Sequence, residues 1–188
     1  MGAPKRTPIP KVPPASGDRA ARWRVCMHEA GHAVTGRVAM KRAVRAVVYD
    51  DNVGVAYLAI DGAIPRRFEE AVAVAAGPAA EALADLHTPP EESPPSPPLA
   101  ATHPHAVAPL VAQLRQSPSD AAAIAQWCIR GIENEPERWT KRFYWIHREA
   151  QIFVARHRRE IVDVATGLFT CGIVTLPARP GSKVAQVE

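Results

Sequence analysis

The sequence predicts a mainly α-helical domain with a small β-hairpin beside its first helix. Three observations point there. The run His28-Glu29-Ala30-Gly31-His32 lies in a segment whose apolar residues Trp23, Met27, Ala30 and Val34 recur at helical spacing. Later stretches repeat helical signals, each with its own start residues. One valine-rich pair flanks Asp50-Asp51-Asn52, a cluster of turn formers.

Composition bounds the rest. The 188 residues suit one domain with a real core. A net charge of +4, from 23 basic and 19 acidic residues, is too weak to point to nucleic acid. Cys26, Cys128 and Cys171 are an odd number without a CxxC pair. That argues against a disulfide framework or zinc knuckle and for a reducing compartment; the cysteines read as small core residues. Residues 1–16 carry Lys5, Arg6 and Lys11 with no apolar stretch behind them, so no secretory signal is expected. The most apolar run, 71–84, is broken by Gly77-Pro78 and is too short for a transmembrane segment. The expectation is a soluble, cytoplasmic protein.

In chain order, 1–17 is a flexible, Pro-rich, basic arm. Asp18 caps a helix over 19–40, in which Gly31 costs about 1 kcal/mol relative to alanine unless something packs close to the backbone there. Residues 43–48 and 53–60 form the hairpin. Pro65 opens the next helix, with Glu69 and Glu70 suiting its dipole. Pro78 predicts a kink or restart, with a second piece over 79–86. The insert 87–105 is Pro-rich and irregular. A short helix follows at 106–115. Ser117 as cap and Pro118 as first residue start a helix to Ile132. Glu135-Pro136 starts the last long helix, ending near Thr170 with Gly172 as terminator. One domain therefore spans 18–176, and 177–188 is a flexible tail.

The chemistry sits on the first helix. Residues four apart share a helical face, so His28 and His32 can reach one metal ion. Glu29 comes off the same turn and can handle a metal-bound water. Two imidazoles plus an adjacent carboxylate are what a zinc hydrolase needs. Read as residues alone, Asp120 is an ordinary helix-start acid. Glu81 is either a surface glutamate, a rival ligand, or a group orienting a ligand histidine through its other ring nitrogen. His103 and His105 sit in the Pro-rich insert, a poor place for a preorganised ligand. His87, His147 and His157 have no partner spacing and read as solvated.

Met27 to Val34 resembles the zinc-binding helix of the peptidase domain in FtsH-type AAA+ proteases, which favours the HEAGH form. Further blocks agree in order. Residues 45–58 are similar to that family's short strands. Residues 72–83 resemble its Gly-Arg-Ala-Ala-Glu helix. Ser119-Asp120 resembles its Ser-Asn-Asp start. Residues 148–176 resemble its terminal helix and following segment. The resemblance spans about Trp23 to Leu176. It implies a mainly helical zinc peptidase with Zn2+ held by His28, His32 and Asp120 and with Glu29 as general base; for Glu81 the favoured reading is the one that orients a ligand histidine. It also implies an extended peptide lying along the edge of the hairpin.

The chain departs from that pattern. It carries no GxxxxGK[ST] phosphate loop. Pro78 stands in place of the family's arginine, and Arg115-Gln116-Ser117-Pro118 in place of a Thr-Gly. The expected substrate is then a flexible or unfolded polypeptide, with a partner ATPase or a homo-oligomer as candidate assemblies. The alternative is a non-catalytic interaction or regulatory module that keeps the fold, with or without zinc. No nucleic-acid partner is expected, because the aromatic residues of the last helix follow its apolar stripe.

Overall fold

The computed structural model describes residues 18–42, 44–49, 53–58, 65–85 and 119–178, the side chains of Asp18 and Asp85 excepted. The expected arm, the turns at 50–52 and 61–62, the insert 87–105 with His87, His103 and His105, the short helix 106–115 and most of the tail lie outside those residues. The elements in order are α1 (Asp18–Ala39), β1 (Val44–Val48), β2 (Gly54–Tyr57), α2 (Phe68–Asp85), α3 (Asp120–Ile129), α4 (Pro136–Arg156), α5 (Arg158–Cys171) and β3 (Ile173–Leu176). The described residues are mainly helical, as expected, with one small antiparallel sheet.

α1 is the centre of the packing. Its stripe of Trp23, Met27, Ala30 and Val34 is buried in the core, with Trp23 edge-on to Phe169 of α5, while the neighbouring face, with His28, Gly31 and His32, packs on α2. The two helices run antiparallel, since His28 meets Glu81 near one end and His32 meets Ala73 near the other. Gly31 explains how close they come. A Cβ there would overlap the Ala76 carbonyl oxygen and stand 2.6 Å from the Ala80 Cβ. Gly31→Ala should therefore lower stability by about 1–3 kcal/mol through overpacking, although alanine is the better helix former by about 1 kcal/mol. Denaturant midpoints check the sign: a stabilised variant would mean the helices are not in this contact.

The sheet order is β2-β1-β3, with β1 antiparallel to both neighbours. Val44, Ala46 and Val48 of β1 point inward onto the helical core, while Val55, Tyr57 and Ile173 are exposed on the other face. The Tyr49 N–H donates to Val53 O and the Val48 N–H to Gly172 O, both at 2.8 Å. Ladder bonding alternates along an antiparallel pair, so the backbone groups of Gly54 and Ala56 look away from β1, at an edge that no other strand among the described residues pairs with, and the Ala56 backbone hydrogen-bonds the Glu29 carboxylate.

Several boundaries differ from expectation. α2 starts at Phe68, not Pro65, because the Glu70 carboxylate accepts from the N–H groups of Arg66 (2.7 Å) and Arg67 (3.2 Å) and holds them outside the helix. α2 then runs through Pro78 without a restart. α3 begins two residues after Pro118, with Ser119 as its cap, and ends at Ile129 rather than Ile132. There the Trp139 indole donates to Ile132 O (2.6 Å) and Arg142 to Arg130 O (2.9 Å), holding the chain that leaves the helix. The last long helix is two helices. His157 (φ −104°, ψ 15°) interrupts it, which lets α4 pack on α2 and α3 while α5 packs on α1. Gly172 terminates α5 in the left-handed conformation (φ 72°), as expected. The chain after it forms β3, a strand the periodicity does not reveal.

Candidate metal centre

Three elements meet at the centre. α1 supplies His28 and His32, whose rings stand edge to face with centroids 4.7 Å apart. α3 supplies Asp120, its first residue. Asp120 Oδ2 lies 2.8 Å from His28 Nε2 and 3.1 Å from His32 Nε2. The cap is Ser119 rather than the expected Ser117, and its hydroxyl accepts the Ala122 N–H at 3.3 Å. The Asp120 carboxylate is thereby left to the imidazoles. His28, His32 and Asp120 each offer a donor atom, all within 4.8 Å of one another, and the group could hold a metal ion.

α2 fixes the rings from behind. The His32 Nδ1–H donates to the Ala73 carbonyl at 2.8 Å. His28 Nδ1 lies 3.0 Å from Glu81 Oε2. Both contacts leave Nε2 facing Asp120, the arrangement in which a neighbouring acceptor sets the tautomer of a ligand histidine. Glu81 thus meets His28 from the side away from Asp120, where the orienting role puts it. Gly77, one turn from both Ala73 and Glu81, completes the face. A Cβ there would overlap the His32 ring and stand 2.8 Å from His28 Nε2. Residue spacing names neither Gly77 nor the Ala73 carbonyl in advance. The available signal is a mid-helix glycine four residues before an acid.

Glu29 is buried, and it lines the same cleft as the three donors. The cleft, about 310 Å³, lies between α1, β2 and the start of α3, and Gly54, Val55, Ala56, Leu58 and Ser119 complete its walls. β2 comes so close that a Cβ at Gly54 would stand 2.6 Å from Glu29 Oε1. A glycine inside a strand often marks such an approach. Burial pushes the Glu29 carboxyl above its ordinary range, and the two imidazoles only partly oppose this.

The electrostatics favour a cation between the rings. Burial works against a charge on His28, but hydrogen bonds to Asp120 and Glu81 outweigh it and push its pKa up to about 10. Burial likewise works against ionised Asp120, yet hydrogen bonds from His28 and His32 hold its carboxyl well below the usual range. The His28 hydrogen bond lowers Glu81 as well. Without metal, a proton on His28 therefore serves as the cation. Its folded pKa lies above the unfolded 6.5, so the stability it confers is present below 6.5 and is lost as pH rises through about 10. A divalent ion must displace that proton. Between those two values, binding should release about one proton per ion, measured by calorimetry in buffers of different ionisation enthalpy. Binding without net release would contradict this picture of His28.

Three other readings change, those of His147, His157 and Cys171. His147 is not solvated: it packs on Phe143, its buried Nε2 has no hydrogen-bond partner among the described residues, and burial lowers its pKa. His157 stacks on Phe153 and lies 3.6 Å from Glu160, which also pairs with Arg37. Cys26 and Cys128 are core residues, whereas Cys171 is exposed.

No family model, curated protein or solved structure matches this chain.

Proposed function

We propose that this chain is a zinc-dependent metallopeptidase. The observation that carries the reading is that Asp120, 92 residues from His28 in sequence, meets both histidines in the cleft that Glu29 lines. Two imidazoles and one carboxylate suit zinc, and the hydrogen bonds on both Nδ1 atoms fit ligand histidines. The resemblance of the HEAGH helix to FtsH-type peptidases supports the same reading.

Zinc held by His28, His32 and Asp120 would polarise a water molecule and the scissile carbonyl. Glu29, in the cleft beside these donors, is placed to accept a proton from the attacking water and would pass it to the leaving amine. Its raised pKa brings the carboxyl nearer the pH at which both transfers are easy. The Ala56 backbone already hydrogen-bonds the Glu29 carboxylate, and the neighbouring Gly54 backbone can pair with an extended peptide and lead it past Glu29. The substrate is a flexible or unfolded polypeptide, delivered by an ATPase partner or reached within a homo-oligomer. A cytoplasmic site of action accords with three free cysteines. Among the described residues, no helix is long and apolar enough to cross a membrane.

The test is cleavage of a reduced, alkylated polypeptide by the purified chain. Cleavage should stop on chelation and return with added zinc. Zinc bound without cleavage of any unfolded substrate would favour the non-catalytic module.

A further inference from the structure

Attack on a peptide bond moves negative charge onto the carbonyl oxygen, and a cleft that speeds the reaction aims hydrogen-bond donors at that atom. The side chains lining this cleft offer few. His28 and His32 turn their Nδ1 atoms to Glu81 and the Ala73 carbonyl, and their Nε2 atoms to Asp120. Glu29 and Asp120 are carboxylates, and Val55, Ala56 and Leu58 have apolar side chains. The Ala56 backbone is engaged by Glu29, and the Gly54 backbone serves the main chain of the peptide. Ser119 is the remaining polar side chain on the wall. It is exposed, so a substrate can reach it.

The Ser119 oxygen accepts the Ala122 N–H at 3.3 Å, while its O–H has no acceptor among the described residues. The bond from Ala122 fixes the oxygen, and the extended backbone (φ −142°, ψ 155°) sets Ser119 just ahead of α3. Accepting that bond also polarises the O–H toward donation. Ser119 precedes Asp120 in the chain, so this donor stands beside the carboxylate that meets both imidazoles. The dipole of α3, a helix of 10 residues, adds positive potential at the same point.

We propose that the Ser119 hydroxyl is a catalytic donor that binds the scissile carbonyl oxygen and stabilises the negative charge developing on it. This rests on the peptidase reading. When the oxygen of the attacking water bonds to the carbonyl carbon, the C=O π pair moves onto the carbonyl oxygen. The pair returns as the C–N bond breaks and the amine leaves with the proton from Glu29. Ser119 keeps its own proton throughout and contributes only a hydrogen bond.

The experiment compares the parent with Ser119→Gly and Ser119→Thr. Glycine replaces serine at a helix cap with little loss of stability, so it removes the hydroxyl and leaves α3 in place. Threonine keeps both the hydroxyl and the cap. On a reduced, alkylated polypeptide, Ser119→Gly should lower kcat on the order of 10²-fold, with KM and zinc affinity close to those of the parent. Ser119→Thr should retain turnover. Apart from turnover, Ser119→Gly should weaken binding of a phosphinic peptide, whose tetrahedral phosphorus carries an oxygen where the charge develops. Binding of a thiol inhibitor, which places no oxygen there, should not change. Unchanged turnover and phosphinic affinity in Ser119→Gly would overturn the proposal and leave the peptidase reading intact. Zinc affinity falling in step with turnover would also overturn it, since Ser119 would then act only by holding Asp120. A parent that binds zinc and cleaves no unfolded substrate would remove both.

Discussion

Glu29→Gln is expected to lower peptidase turnover by roughly 10²–10⁴-fold, the range for loss of a general acid–base group, and to leave zinc content unchanged. Glutamine has nearly the same shape as glutamate, so the packing of β2 against this side chain survives. It cannot take a proton from water, nor return one to the leaving amine. Glu29 offers no hydrogen bond to either imidazole's Nδ1, since Ala73 and Glu81 occupy those. Metal retention and catalytic loss should therefore separate cleanly in this variant, with zinc measured by mass spectrometry and turnover on an unfolded substrate. Activity within a few-fold of the parent would remove Glu29 from the chemistry.

Gly77→Ala should cost zinc affinity on the order of 10–100-fold or more, the effect expected when the support of ligand histidines is disturbed. The added methyl group would enter the space of the His32 ring and crowd His28 Nε2. Neither ring can swing aside without losing a hydrogen bond, His32 to the Ala73 carbonyl and His28 to Glu81. The helix itself gains from the change, because alanine is favoured over glycine by about 1 kcal/mol in a helix interior. A folded protein with a damaged site is the expected outcome, read by circular dichroism and by zinc titration against a competing chelator. Undiminished affinity would place the metal elsewhere than between these rings.

The two glycines of the α1–α2 contact show how far sequence reasoning reaches. Gly31 signals a close approach because it sits in a helix of otherwise clear period, and α2 does pack there. Gly77-Pro78 suggests a kink or restart by local rules, and the helix does not restart. Tertiary packing overrides that rule, and the glycine instead makes room for the imidazoles. His28, Glu29 and His32 are legible because helical spacing alone puts them together. Asp120 is not legible in that way: its meeting with the histidines depends on a chain closure across 92 residues. Its neighbours Ser117 and Pro118 imitate a helix start, whereas Ser119 is the cap. The strand β3 stays hidden for a related reason. Four residues after a helix carry little periodicity, and their pairing with β1 crosses most of the chain. The break at His157 has neither glycine nor proline to announce it. It is set by where α4 and α5 find their partners.

Zinc stoichiometry and affinity, measured in the parent, Asp120→Ala and Glu81→Gln, test the metal centre most directly. The parent should bind about one zinc per chain, as one site with three protein ligands requires. Asp120→Ala should lose it, and Glu81→Gln should weaken it roughly 10–100-fold by removing the acceptor that orients His28. No zinc in the parent, or full affinity in Asp120→Ala together with loss in Glu81→Gln, would contradict the His28-His32-Asp120 assignment.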